Sequence, residues 1–102
     1  MSYELKQRDP HTLVLGGVLD NGNVVLARAE GERLLKAVSG QCVVCVDGLR
    51  EADSGVIALM LAWLRFARRR GLDIRFQGLS PRLYGLVHVS GLEGILPIDV
   101  AR

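Results

Sequence analysis

The sequence has few of the residues on which metal centres, disulfide frameworks and electrostatic binding of nucleic acid depend. Its 102 residues include two histidines and two cysteines, and thirteen Lys and Arg against eleven Asp and Glu leave a net charge of only +2. Two histidines argue against a multi-histidine metal centre. A charge this balanced argues against attachment to nucleic acid by bulk electrostatics. We therefore expect no metal, no cofactor and no nucleic-acid partner.

Long hydrophobic segments are also missing. The longest apolar run is nine residues, 56–64 (VIALMLAWL), whereas a transmembrane helix needs about twenty. The first ten residues lack the apolar centre of a signal peptide. With so few cysteines, this predicts a cytosolic protein that does not insert into a membrane. What is present, 49% hydrophobic and 24% charged residues, is typical of one globular domain spanning residues 1–102.

Catalytic motifs are absent as well. The sequence has no G-x-x-x-x-G-K-[ST] and no G-x-S-x-G, and neither His11 nor His88 lies near a nucleophile along the chain. Cys42 and Cys45 have C-x-x-C spacing, but their surroundings are typical of a buried strand. Residues three apart in a strand point to opposite faces and lie about 10 Å apart. We interpret both cysteines as core residues, and we expect neither an enzyme nor a small-molecule substrate.

Strand and helix patterns alternate along the chain. The predicted order is β-β-α-β-α-β-α with a short terminal strand, and it implies an α/β fold in which about three helices pack on a mixed, mostly parallel sheet. Strands are predicted over residues 3–8, 12–19, 42–46 and 72–77 and within 95–100, and helices over 24–38, 54–70 and 81–89. Gly16 and Gly17 are interpreted as strand glycines beside a bulge or a tight contact. Residues 47–53 are predicted to form a loop.

The first helix has the weaker pattern. Either Leu26 or Ala27 can face the core with Val24, Leu34, Leu35 and Val38. Gly31 within it lowers helix stability by about 1 kcal/mol relative to alanine.

The second helix has the clearest pattern. Leu59, Trp63 and Ala67 lie on the face that we expect to pack on the sheet. Ser54 is expected to cap the helix, and Gly71 to end it. The basic run 68–70 suits the negative end of the helix dipole, with contact to an acidic partner or to lipid headgroups as the alternative interpretation.

Residues 44–64, VCVDGLREADSGVIALMLAWL, resemble the signature of STAS domains. That signature is a hydrophobic strand ending in Asp, a short loop, an Asp-Ser or Asp-Thr pair, small residues and an apolar helix. Asp47 matches the strand-end position, and Asp53 and Ser54 match the pair. Residues 71–76, 80–86 and 90–97 resemble later parts of the family, so the resemblance implies a single STAS domain over nearly the whole chain. Val56 replaces a common glycine and is expected to add bulk beside Ser54.

Within this family, the chain looks most like the stand-alone cytoplasmic subunits of the bacterial Mla phospholipid ABC transporter. The features that favour this are its short length, Gly-Val-Ile-Ala-Leu after the Asp-Ser pair, and the Leu-Pro ending. The resemblance implies a non-catalytic subunit, peripheral to the inner membrane, that binds the ATPase subunit MlaF in a complex with permease and lipid-binding subunits. The alternative is an anti-sigma factor antagonist regulated by phosphorylation of Ser54.

The resemblance also implies where a partner would bind. The predicted contact residues follow the start and one side of the second helix: Asp53, Ser54, Gly55, Ile57, Leu61 and Arg65. Ile57 and Leu61 are included because they lie off the face defined by Leu59 and Trp63. A core face wide enough to bury both is the alternative interpretation.

Overall fold

Strands and helices alternate in the order that the sequence predicts. The computed structural model describes residues 2–51 and 53–99. Its elements are β1 (Tyr3–Asp9), β2 (Thr12–Gly17), α1 (Val24–Lys36), β3 (Gln41–Leu49), α2 (Ser54–Arg69), β4 (Asp73–Gln77), α3 (Pro81–Val89) and β5 (Ile98–Asp99). The terminal strand was expected within residues 95–100, and residue 100 lies outside the described residues.

The five strands form one sheet in the order β1-β2-β3-β4-β5. β1 and β2 make an antiparallel hairpin, and the three other pairs are parallel. Each parallel pair is joined by one helix, which is the connection that parallel strands require. The predicted α/β class, with three helices on a mixed and mostly parallel sheet, is confirmed.

One face of the sheet carries the core. Leu13, Val44 and Phe76 pair across β2, β3 and β4 and are fully buried, whereas their neighbours Val43 and Arg75 on the opposite face are partly or fully exposed. Buried residues of all three helices join the same hydrophobic cluster, so the helices lie on one face of the sheet. Because α1 and α2 each connect parallel strands, both start at the carboxyl edge of the sheet and both end at its opposite edge.

The contact between α1 and α2 depends on Trp63. Its ring is fully buried, and its indole nitrogen donates a hydrogen bond of 3.2 Å to the carbonyl oxygen of Arg28. A Cβ atom at Gly31 would lie only 2.3 Å from the ring, so this glycine, which weakens the helix locally, is required by the packing. Ala27 is fully buried and Leu26 is 64% exposed, which decides between the two predicted alternatives.

β3 is longer than predicted. Gly48 and Leu49 continue its pairing with Gly16 and Gly17, so the connection to α2 begins three residues later than expected, at residue 50. The two backbones approach closely, because a Cβ atom at Gly16 would lie 3.3 Å from the carbonyl oxygen of Gly48. The strand register shifts between Val14 and Gly16, which confirms the bulge.

The structure also tests the predictions for the two cysteines, for the end of α2 and for the start of α3. Cys42 and Cys45 are free and buried, as expected of core residues, and burial raises the pKa of the Cys42 thiol to about 11. Gly71 follows α2 with a φ of 69°, and the amide of Leu72 donates to the carbonyl of Ala67 at 2.9 Å, which confirms the predicted stop. α3 begins at Pro81, where the Ser80 hydroxyl accepts from the third helical amide at 3.1 Å.

Candidate functional site

The start of α2 lies at the carboxyl edge of the sheet, directly after the longest strand. Asp53 caps this helix, because its backbone is extended and its Oδ1 accepts a 2.8 Å hydrogen bond from the amide of Gly55. The prediction that Ser54 is the cap is therefore wrong by one residue. Ser54 is the first helical residue; its side chain is exposed, and its hydroxyl makes no hydrogen bond within residues 2–51 and 53–99. The hydroxyl is available to a partner.

A shallow cleft of about 150 Å³ separates this end of α2 from the turn between β2 and α1. The residues that line it are Leu19, Asp20, Asn21, Val24, Asp53, Ser54 and Gly55. The opposite wall is fixed by its own hydrogen bonds, since Asp20 Oδ1 accepts from the amides of Gly22 at 2.7 Å and Asn23 at 3.0 Å. The Asn23 side chain in turn donates to the carbonyl of Val18 at 3.0 Å. The cleft is therefore preorganised on both sides.

The predicted contact residues do not all reach the surface. Asp53, Ser54 and Arg65 are exposed, and Gly55 and Leu61 are partly buried. Ile57 is only 6% exposed and belongs to the core cluster, so the expectation that it lies off the core face is wrong.

The physical reason is the width of the buried face of α2. This helix packs on the sheet and also against α1 and α3, so its buried face is wider than a single stripe of Leu59 and Trp63. The exposed stripe is narrow: it runs through Ser54, Ala58, Leu61 and Arg65 at spacings of four, three and four, and Leu61 within it is partly buried.

Val25 extends this surface, although the sequence analysis did not select it. Val25 and Leu26, in the first turn of α1, are 72% and 64% exposed. Val25 also lines an apolar groove of about 170 Å³ between α1 and α2, together with Ala58 and Ala62. The signal was present in the sequence: residues 24–27 are four consecutive apolar residues, which is more than one helical turn, so they cannot all face the core. We call the exposed stripe together with Asp53 and Val25 the docking surface.

Val56 does not crowd Ser54. Its side chain is fully buried in the core cluster, so the substitution for glycine adds volume beneath the helix and none at the hydroxyl. The expectation that it adds bulk beside Ser54 is therefore wrong.

Among residues 2–51 and 53–99 there is no group of three or more His, Cys, Asp or Glu that could hold a metal ion. None of the described helices is long and apolar enough to cross a bilayer. The site contains an exposed hydroxyl at the positive end of a helix and, one turn further along, the exposed aliphatic side chain of Val25 across from Ala58.

Solved structures with the same fold define the class of protein. The chain matches the unphosphorylated form of the anti-sigma factor antagonist SpoIIAA with a TM-score of 0.76 and 22% identity, over 99% of this chain and 89% of that one. SpoIIAA from Bacillus in its phosphorylated form gives a TM-score of 0.72 and 22% identity, over 99% and 92%. An anti-sigma-factor antagonist (STAS) domain protein from Planctomyces limnophilus gives 0.69 and 11% identity, over 98% and 91%. The fold is that of a STAS domain.

A family model gives the narrower assignment. The model for "Mlab, STAS domain" matches residues 4–97, and the chain therefore belongs to this family. A comparison with curated proteins finds no match. The resemblance first noted over residues 44–64 is confirmed, and the family is one of regulatory and interaction domains.

Proposed function

We propose that the protein is an MlaB-type subunit of a bacterial phospholipid ABC transporter, which maintains the lipid asymmetry of the outer membrane. It is cytoplasmic, peripheral to the inner membrane and non-catalytic, and it binds and regulates an MlaF-like ATPase subunit in a complex with permease and lipid-binding subunits. The family match over residues 4–97 supports the assignment to this type of subunit. The observation that supports the binding role is the exposed Ser54 hydroxyl, which caps nothing and lines a cleft that adjoins the apolar groove at Val24.

The docking surface has the composition of a protein interface. Val25 supplies apolar area, and fully burying such a side chain contributes about 1.5–3 kcal/mol. Ser54 and Ala58 are small, so a partner's backbone can approach the start of α2 closely. Arg65 lies at the far end of the stripe, where it suits a peripheral ion pair.

Ser54 is the position at which an added charge best tests whether a partner binds this surface. Its hydroxyl can donate a hydrogen bond to a partner, and removing it in Ser54→Ala leaves an apolar contact, so binding weakens modestly. A carboxylate in Ser54→Glu must lose its hydration when the partner docks, which costs several kcal/mol unless it is paired. The same carboxylate is favourable at the start of a helix in the free protein, so the fold is expected to persist.

A second candidate function is supported by the same hydroxyl. In an anti-sigma factor antagonist, Ser54 would be the phosphorylated residue, and the positive end of α2 would stabilise the phosphate. The buried position of Val56 leaves the hydroxyl unobstructed for a kinase. SpoIIAA, whose fold this chain shares, is known in both phosphorylated and unphosphorylated forms.

One experiment separates the two functions. The tagged protein is incubated with a purified MlaF-like ATPase subunit of the same organism and, separately, with an anti-sigma kinase and ATP. We expect the ATPase to co-elute and its rate of ATP hydrolysis to change, with no phosphate on Ser54. Phosphorylation of Ser54 by the kinase, without retention of the ATPase, would establish the antagonist function instead.

A further inference from the structure

Basic residues gather at the edge of the sheet opposite the docking surface. α1 and α2 both end there, and their last turns and the residue that follows α2 are rich in arginine. We call this group the basic cap: Arg33, Lys36, Arg68, Arg69 and Arg70, all of which are exposed. It concentrates five of the thirteen Lys and Arg of a protein whose net charge is only +2.

Neighbouring groups offset little of this charge. Arg33 lies 3.9 Å from a carboxylate oxygen of Glu30, and the four other cations form no salt bridge within the described part of the chain. Asp73 lines a shallow cleft together with Arg68. Two helix C-termini contribute about half a negative charge each. The cap therefore keeps most of its positive charge.

Two of the arginines are also preorganised. The guanidinium carbons of Arg69 and Arg70 lie 5.9 Å and 5.7 Å from the centroid of the Phe66 ring, which is itself partly buried. Stacking on an aromatic ring restricts a guanidinium and leaves its N–H groups free to bind a carboxylate in a bidentate manner. A residue that served only to solvate the helix end would not need this arrangement.

We propose that the basic cap binds a carboxylate-rich segment of a partner protein. Two oriented guanidinium groups match paired carboxylate oxygens, and the surrounding cations attract an acidic chain from a distance. A lipid surface fits less well, because none of the five cap residues is apolar; the exposed large apolar side chains at the same edge of the sheet, Val89 and Ile95, belong to the end of α3 and to the segment that follows it. Nothing in the cap can enter the acyl region. The proposal is independent of the function proposed above, since the sixteen residues of α2 separate the cap from Ser54 by about 24 Å.

The test uses a fluorescently labelled polyglutamate peptide and measures its anisotropy with the whole protein. The decisive variant is the double substitution Arg69→Glu and Arg70→Glu. Its matched control is Lys6→Glu and Arg8→Glu, which makes the same change in net charge on exposed positions of the edge strand β1. A third variant, Arg69→Lys and Arg70→Lys, keeps the charge and removes the guanidinium groups. Melting curves verify that each variant is folded.

We expect the peptide to bind the wild-type protein, and the affinity to fall as salt is raised from about 50 mM to about 200 mM. The Glu variant of the cap should lose about tenfold or more in affinity, the Lys variant a few-fold, and the β1 control little. Equal losses in the cap and control variants would overturn the proposal, because bulk charge alone would then explain binding. Failure of wild type to bind polyglutamate, or binding only to vesicles containing phosphatidylglycerol, would overturn it in favour of a solvated helix end or a membrane contact.

Discussion

Replacing Gly31 with alanine tests the contact that joins α1 to α2. In most helices this substitution is favourable, because alanine stabilises a helix interior by about 1 kcal/mol relative to glycine. Here the new Cβ atom would lie 2.3 Å from Cε2 and Cζ2 of Trp63, more than 1 Å inside ordinary van der Waals contact. The ring is fully buried and held by its hydrogen bond to the Arg28 carbonyl, so it has little room to move.

The expected effect is a net destabilisation. Overpacking a core costs about 1–3 kcal/mol or more, and losing the indole hydrogen bond adds about 1 kcal/mol. After subtracting the gain in helix propensity, we expect Gly31→Ala to lower the free energy of unfolding by about 1–3 kcal/mol. For a domain of this size, that lowers the Tm by roughly 5–20 °C.

Thermal unfolding followed by circular dichroism measures the effect, and the fluorescence of Trp63, the only tryptophan, reports the same transition. Gly85 provides the matched control, because it is an exposed glycine of α3 and a Cβ atom there would meet nothing within 4 Å. Gly85→Ala should therefore raise the Tm. To test whether the Trp63 ring causes the loss of stability, Gly31→Ala is repeated in a Trp63→Leu background, where that loss should largely disappear.

Two outcomes would refute this reasoning. Gly31→Ala could be as stable as Gly85→Ala, which would mean that the ring moves away at no cost. The penalty could also persist in the Trp63→Leu background, which would place its origin outside the contact with the indole.

Three further predictions concern the helix cap, a buried thiol and nucleotide binding. Asp53→Ala should lower the free energy of unfolding in urea by about 1 kcal/mol, because the Gly55 amide loses its acceptor; a loss no larger than that of Asp53→Asn would contradict the cap. Burial raises the pKa of the Cys42 thiol from 9.0 to about 11, so the unfolded chain loses this proton first and stability should fall as the pH rises through that range. Cys42→Ala should reduce this fall in stability with pH, and an unchanged dependence on pH would contradict the raised pKa of the thiol. Finally, the isolated protein should show no saturable ATP binding by calorimetry, because its sequence has no phosphate-binding loop.

The sequence was most informative where local patterns and packing agree. The bounds of α2 follow from its apolar spacing and from Gly71, whose positive φ ends the helix as expected. The bulge beside Gly16 and the burial of both cysteines could be predicted equally well, because each depends on the strand in which it lies.

The features that could not be predicted depend on partners distant in the chain. Gly31 has the low helix propensity of any glycine, and only the folded structure shows that Trp63, 32 positions later, requires it. Burial of Ile57 follows from the packing of α2 against two other helices as well as the sheet. At the start of α2, Asp53 and Ser54 are both good capping residues, and only the backbone conformation shows that Asp53 is the cap.

The central claim is that a partner ATPase binds the docking surface at Ser54. Calorimetric titration of the purified ATPase subunit with wild type, Ser54→Ala, Ser54→Glu and the control Ser39→Glu tests it most directly. Ser39 is exposed and lies just after the C-terminal end of α1. The control Ser39→Glu therefore adds the same charge at a position away from the docking surface. The account predicts tight binding by wild type and Ser39→Glu, a modest loss in Ser54→Ala and a loss of about a hundredfold or more in Ser54→Glu, with every variant folded. Equal affinities for wild type and Ser54→Glu would contradict it.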